Sequence, residues 1–183
     1  HGHTNPTLGL VKALTEAGHI IYYFSFEMFR KKIENAGAVF IPCDAYDFEM
    51  EDKENADRVG KDKAFAVELL VSSTLALDEM VSEKIAGLKP DVIVADSIAY
   101  WGKLAALKHG IPFVSSTTTF AFNRYSARYM KHGIGETLKM LFSMPKVNKQ
   151  IRRLQEKGYP VKGILDIVQN DNDTNTVVYT SKY

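Results

Sequence analysis

His3 and Asp96 are the two residues of this chain whose types could share a proton to useful effect. A histidine titrates near neutrality. It becomes an effective base when a carboxylate fixes its tautomer and stabilises the imidazolium that forms. Asp96 closes the apolar run Val92-Ile93-Val94-Ala95, a costly place for a carboxylate without a partner. The competing reading is simpler: Asp96 caps the following helix at Ser97 or Ile98, and His3 is only a loop residue. His1-Gly2-His3 also resembles a metal-binding pair, but two histidines without a third ligand are a weak signal, and the expectation is no metal. His19, His109 and His132 each adjoin a glycine at an expected helix end, where positive charge is favoured. Ser115, Ser116 and Thr117 offer hydroxyls, yet no Gly-x-Ser-x-Gly elbow surrounds them, which argues against a hydrolase nucleophile. Trp101, Phe120, Phe122 and Tyr125 could line an apolar cavity beside those hydroxyls, or could simply be core.

These residues need elements to place them. Thr4 or Asn5 can cap a helix with Pro6 near its first position, and Leu8, Val11, Leu14 and Ala17 form its apolar stripe up to Gly18. Ile20 to Phe24 is β-branched and aromatic, as a strand would be. A short amphipathic helix over Phe26 to Ala36 and a strand over Ala38 to Pro42 follow, then a long surface loop over 44–63. Val67 to Ile85 carries the longest helical periodicity, expected over Phe65 to Gly87. Asp91 to Asp96 reads as a strand covered on both faces, Tyr100 to Lys108 as a helix, and Ile111 to Ser115 as a strand. Helical patterns resume over Ile134 to Phe142 and Val147 to Lys157, a turn cluster spans Asn170 to Asn175, and a last strand spans Thr176 to Thr180.

Alternation of strand and helix indicates an α/β, Rossmann-like doubly wound parallel sheet. Right-handed crossovers would bring the tip after Asp96 and the loop after Val114 to one edge. The loop holding His3 would join them if a strand preceded it. The chain opens directly on His1, without an initiator methionine, so the expectation is that the natural start is missing.

Composition sets the bounds. A length of 183 residues suits one domain, and a formal charge of +1 implies no bulk attraction to nucleic acid or anionic membrane. The single cysteine, Cys43, excludes an internal disulfide framework, and no apolar run approaches a membrane span. A cytoplasmic protein is the expectation.

Gly2-His3-Thr4-Asn5-Pro6-Thr7-Leu8, with the helix end Ala17-Gly18-His19, resembles the opening of nucleotide-sugar-dependent glycosyltransferases of the two-domain GT-B fold. The similarity is greatest to bacterial macrolide glycosyltransferases of the UDP-glycosyltransferase superfamily. Pro90 to Asp96, Gly110 to Ser115 and the ending Val178 to Tyr183 add to it. The resemblance implies that residues 1–183 form the N-terminal acceptor-binding domain, without its first strand and without the C-terminal donor domain. It implies His3 as the base that deprotonates an acceptor hydroxyl and Asp96 as its partner. Asn5, Trp101, Ser116, Thr117, Phe120, Phe122 and Tyr125 are then expected around a hydrophobic small-molecule acceptor. A UDP-sugar would be co-substrate of the full enzyme, with no cofactor bound by this domain and sugar transfer not expected of these residues alone. The alternative is a non-catalytic α/β module that uses the same edge for a ligand or partner.

Overall fold

The structure is a computed structural model, and it describes residues 3–43, 58–59, 62–117, 134–168 and 175–179. The chain divides into two compact units, 1–47 with 179–183, and 48–178.

In the first unit, helix α1 spans Thr4–Glu16, one residue earlier than a Thr4 cap requires and two earlier than an Asn5 cap. His3 is the N-cap residue and makes no side-chain capping bond. Pro6 is therefore third in the helix, still within the first turn, where its missing N–H costs nothing. Gly18 takes the expected left-handed conformation at φ +90. Strand β1 is Tyr22–Ser25, two residues later than the β-branched run suggested, and Ile20 is 76% exposed. A 3-10 turn, Glu27–Phe29, leads into α2, Arg30–Asn35, and then β2, Val39–Pro42, pairs in parallel with β1. Val11, Phe29, Ile33, Ala38 and Phe40 form the core of this unit. Thr15 fastens α1 to the turn after α2 by donating to the carbonyl of Ala36 at 3.0 Å. Gly37, at φ +92, lies under it: a Cβ there would sit 2.9 Å from Thr15 Oγ1.

The second unit opens with α3, Lys63–Leu88, whose N-cap Asp62 accepts from the N–H groups of Ala64 and Phe65. Lys89, rather than Gly87, takes the left-handed position after it. Then come β3 (Ile93–Asp96), α4 (Tyr100–His109), β4 (Phe113–Thr117), α5 (Ile134–Glu156), α6 (Ile164–Val168) and β5 (Thr176–Val178). The sheet order is β3-β4-β5, every pair parallel, which is the expected α/β class. β3 ends that order and is not covered on both faces. Ala95 is buried, whereas Val92 and Val94 are 45% and 44% exposed. α4 packs on β3 and β4, and α3 packs on α4 and α5. The core runs through Val67, Val71, Leu104, Val147, Ile151, Leu154, Tyr159, Val161 and Ile167.

Two helical expectations change. α5 is one helix through Pro145, where the sequence suggested two; the buried stripe Val147, Ile151 and Leu154 keeps the chain helical beyond the proline. α6, a single short turn, lies where the sequence pattern indicates no element. Asp166 holds its start by accepting from the N–H groups of Lys162 at 2.6 Å and Gly163 at 3.1 Å.

Candidate active site

The first unit presents His3 at the entrance of α1, partly buried. Thr7, on the next turn, donates its hydroxyl proton to the Thr4 carbonyl at 2.8 Å, leaving the Tyr23 hydroxyl to donate to Thr7 Oγ1 at 2.6 Å. β1 is thereby tied to the first turn of α1, next to His3. Asn5 is exposed, and its Oδ1 accepts from Lys32 Nζ at 3.4 Å.

The second unit presents Asp96 at the carboxyl end of β3. Its register partner on β4 is Ser116, so the two side chains leave the same face of the sheet. Asp96 Oδ1 accepts from the N–H of Ile98 at 3.0 Å, and its carbonyl accepts from Ala99 at 2.9 Å. The turn before α4 is built on this residue, while the N-cap of α4 itself is Ala99, which has no side-chain capping bond. Ser97 donates to the Ser116 carbonyl at 2.9 Å and extends the ladder by one bond.

α4 reaches the strand tip because Gly102 lets it approach. A Cβ on Gly102 would lie 2.6 Å from the Cβ of Ala95, the residue before Asp96. Trp101, beside that glycine, is partly buried. Ser115, Ser116 and Thr117 are 1%, 2% and 1% exposed, with Ser115 Oγ 3.4 Å from Thr117 Oγ1. These hydroxyls are buried at the strand end. Phe120, Phe122, Tyr125 and His132 lie outside the described residues.

The sequence reading passed over Tyr100. Burial, aided by the Asp96 charge, holds its phenol above the ordinary range. The only hint was its position four residues after Asp96. It also passed over a polar knot at the far end of α4. Asp78 of α3 accepts from Lys108 Nζ at 2.6 Å and from the Tyr159 hydroxyl at 2.7 Å, and the Lys108 ammonium lies 4.7 Å from the Tyr159 ring centre. His109, in the last turn of α4 as expected, has its Nε2 3.0 Å from Ser82 Oγ. Among the described residues, no group of three or more His, Cys, Asp or Glu could hold a metal ion, and no helix is long and apolar enough to cross a membrane.

No protein-family model matches the chain. Curated relatives do. The uncharacterized UDP-glucosyltransferase YdhE of Bacillus subtilis is 27% identical over 100% of this chain and 45% of its own length. The demethyllactenocin mycarosyltransferase of Streptomyces fradiae is 32% identical over 69% of this chain and 29% of its own. The chain thus spans less than half the length of these relatives. Among solved structures, the glycotransferase of kitacinnamycin superposes with a TM-score of 0.71 at 20% identity, over 97% of this chain and 42% of the other. The calicheamicin glycosyltransferase CalG4 gives 0.57 at 22% identity, over 97% and 45%. VinC, solved in complex with dTDP, gives 0.58 at 16% identity, over 97% and 46%. The resemblance carried by the opening residues is borne out: this chain has the α/β fold of GT-B glycosyltransferases, and its curated relatives are glycosyltransferases.

Proposed function

We propose that residues 1–183 form the acceptor-binding half of an inverting glycosyltransferase that transfers a sugar from a UDP-sugar to a hydroxyl of a hydrophobic small molecule. The observation that carries this reading is the similarity to a UDP-glucosyltransferase along the whole chain, with Asp96 standing at a strand's carboxyl end. In parallel α/β sheets, ligands bind beyond those ends. His3 takes the proton of the acceptor hydroxyl. The oxygen attacks the anomeric carbon as the bond from that carbon to the diphosphate breaks, so the configuration inverts and UDP leaves with the electron pair. Asp96 stabilises the imidazolium that results. Asn5, Trp101, Ser116, Thr117, Phe120, Phe122 and Tyr125 are proposed to shape the acceptor side, with Tyr100 holding its proton beside Asp96. A C-terminal domain of the same protein would supply the donor.

The second reading, a non-catalytic module, draws on the bond from Ile98 N–H to Asp96, which gives this carboxylate a structural duty of its own. Asp96→Asn separates the two readings, because an amide oxygen still accepts from Ile98 while the charge is gone. In the full-length enzyme, His3→Ala should lower turnover by about 10²–10⁴-fold. Asp96→Asn should be damaging alone and nearly harmless once His3 is alanine, since residues acting as one unit are not additive. Full activity of His3→Ala at neutral pH overturns the reading.

A further inference from the structure

The formal charge of +1 conceals a strong local imbalance. Between Glu136 and Glu156 the sequence holds five cations, Lys139, Lys146, Lys149, Arg152 and Arg153, and no acid. α5 sorts this stretch by face. Val147, Gln150, Ile151 and Leu154 are buried, at 5%, 6%, 5% and 0% exposure. Steps of about 100° per residue place Leu141, Phe142, Pro145, Lys149 and Arg152 on the opposite side, with Lys146 and Arg153 at its flank. Lys146, Lys149 and Arg152 are exposed, and among the described residues none of the three enters an ion pair. Arg153 leans on the helix itself, donating to Gln150 at 2.7 Å.

A solvated basic face would be unremarkable by itself. What sets this one apart is its neighbour, one turn toward the N-terminus: Leu141 is 62% exposed and Phe142 83% exposed, the latter being the most exposed large hydrophobic among the described residues. Large apolar side chains beside unpaired lysines and arginines, on a helix whose other face is anchored in a core, match a surface that lies on anionic lipid. The rings and branched chains enter the headgroup boundary while the cations meet lipid phosphates. An acidic protein or a nucleic acid would use the charges but leave Phe142 without a complement. We propose that the outer face of α5, from Leu141 to Arg153, docks this protein on anionic membrane surfaces. This is peripheral binding, distinct from a span, and it stands apart from the catalytic reading.

The test is sedimentation of the full chain with phosphatidylcholine vesicles, with and without about a third phosphatidylglycerol. Binding is expected only to the anionic vesicles, weakening with salt. Leu141→Ser with Phe142→Ser should reduce it about tenfold or more, and so should Lys146→Glu with Lys149→Glu. All four side chains are outside the core, so circular dichroism should show unchanged folding. No binding to anionic vesicles overturns the proposal. Binding that ignores Leu141 and Phe142 also overturns it, because that outcome describes a general polyanion site such as an acidic protein or nucleic acid would use.

Discussion

At the scale of single residues, Asp78 shows how a charge can be kept inside a small protein. Burial alone would raise its carboxyl, but the hydrogen bonds from Lys108 and Tyr159 outweigh that and hold it below its ordinary value. Burial, and then the bond to Asp78, push the Tyr159 phenol well above its ordinary value. The signs differ, and so do the pH windows. A depressed carboxyl contributes stability that is present above its unfolded value of about 3.8 and lost as pH falls through the folded one. A raised phenol contributes stability that is complete below about 10 and lost as pH rises beyond it. Urea unfolding followed from pH 3 to 11 should therefore lose stability at both ends; Tyr159→Phe should remove this phenol's part of the alkaline limb and also shrink the acid limb, because its hydroxyl helps hold Asp78 down. Asp78→Ala, which strands the ammonium and the phenol together, should cost about 2–4 kcal/mol near neutrality. None of this knot was legible in the chain. Lys108 and Tyr159 are 30 and 81 residues from Asp78, and pairing over such separations leaves no local pattern.

At the scale of elements, Gly102 makes the sharpest prediction. Gly102→Ala adds a methyl 2.6 Å from the Ala95 Cβ, with both atoms held on rigid backbone, so α4 must shift away from β3. The expected cost is about 1–3 kcal/mol, read as a fall in Tm of roughly 3–10 °C. Gly87→Ala is the control. Nothing lies within 4 Å of a Cβ there, so it should be neutral or stabilising by up to about 1 kcal/mol. A Gly102→Ala protein as stable as the parent would sink the close-approach account. Much at this scale was readable beforehand. Gly18, Gly37 and Gly110 all adopt positive φ at helix ends, as residues without a Cβ are placed to do. The start of β1 was not, because Ile20 and Ile21 look like strand by type. The parallel ladder begins only where Val39 N–H meets the Ile21 carbonyl at 2.8 Å, and side-chain composition does not reveal that register. Likewise Val94 reads as interior, but its exposure depends on which strands flank β3, a fact of topology.

At the scale of the molecule, these 183 residues hold one tryptophan, Trp101, close to the proposed catalytic strand end. Its fluorescence is therefore an unmixed reporter. An aromatic hydroxylated acceptor should quench it at micromolar to millimolar concentration, a range of roughly −4 to −8 kcal/mol. UDP should bind weakly or undetectably by calorimetry, because diphosphate sites need a glycine-rich turn or converging basic donors and no such turn flanks α1. Tight UDP binding to these residues would mean that the donor side has been assigned to the wrong half. The close seating of α4 on β3 bears on how this turn can be re-engineered. Only Ser97, Ile98 and Ala99 separate β3 from α4. One residue more or fewer there would turn the helix by about 100° and swing Gly102 away from Ala95. On the proposed reading, side chains around this turn are the ones to exchange in a test of acceptor preference, whereas changing its length would dislodge the helix that carries Trp101.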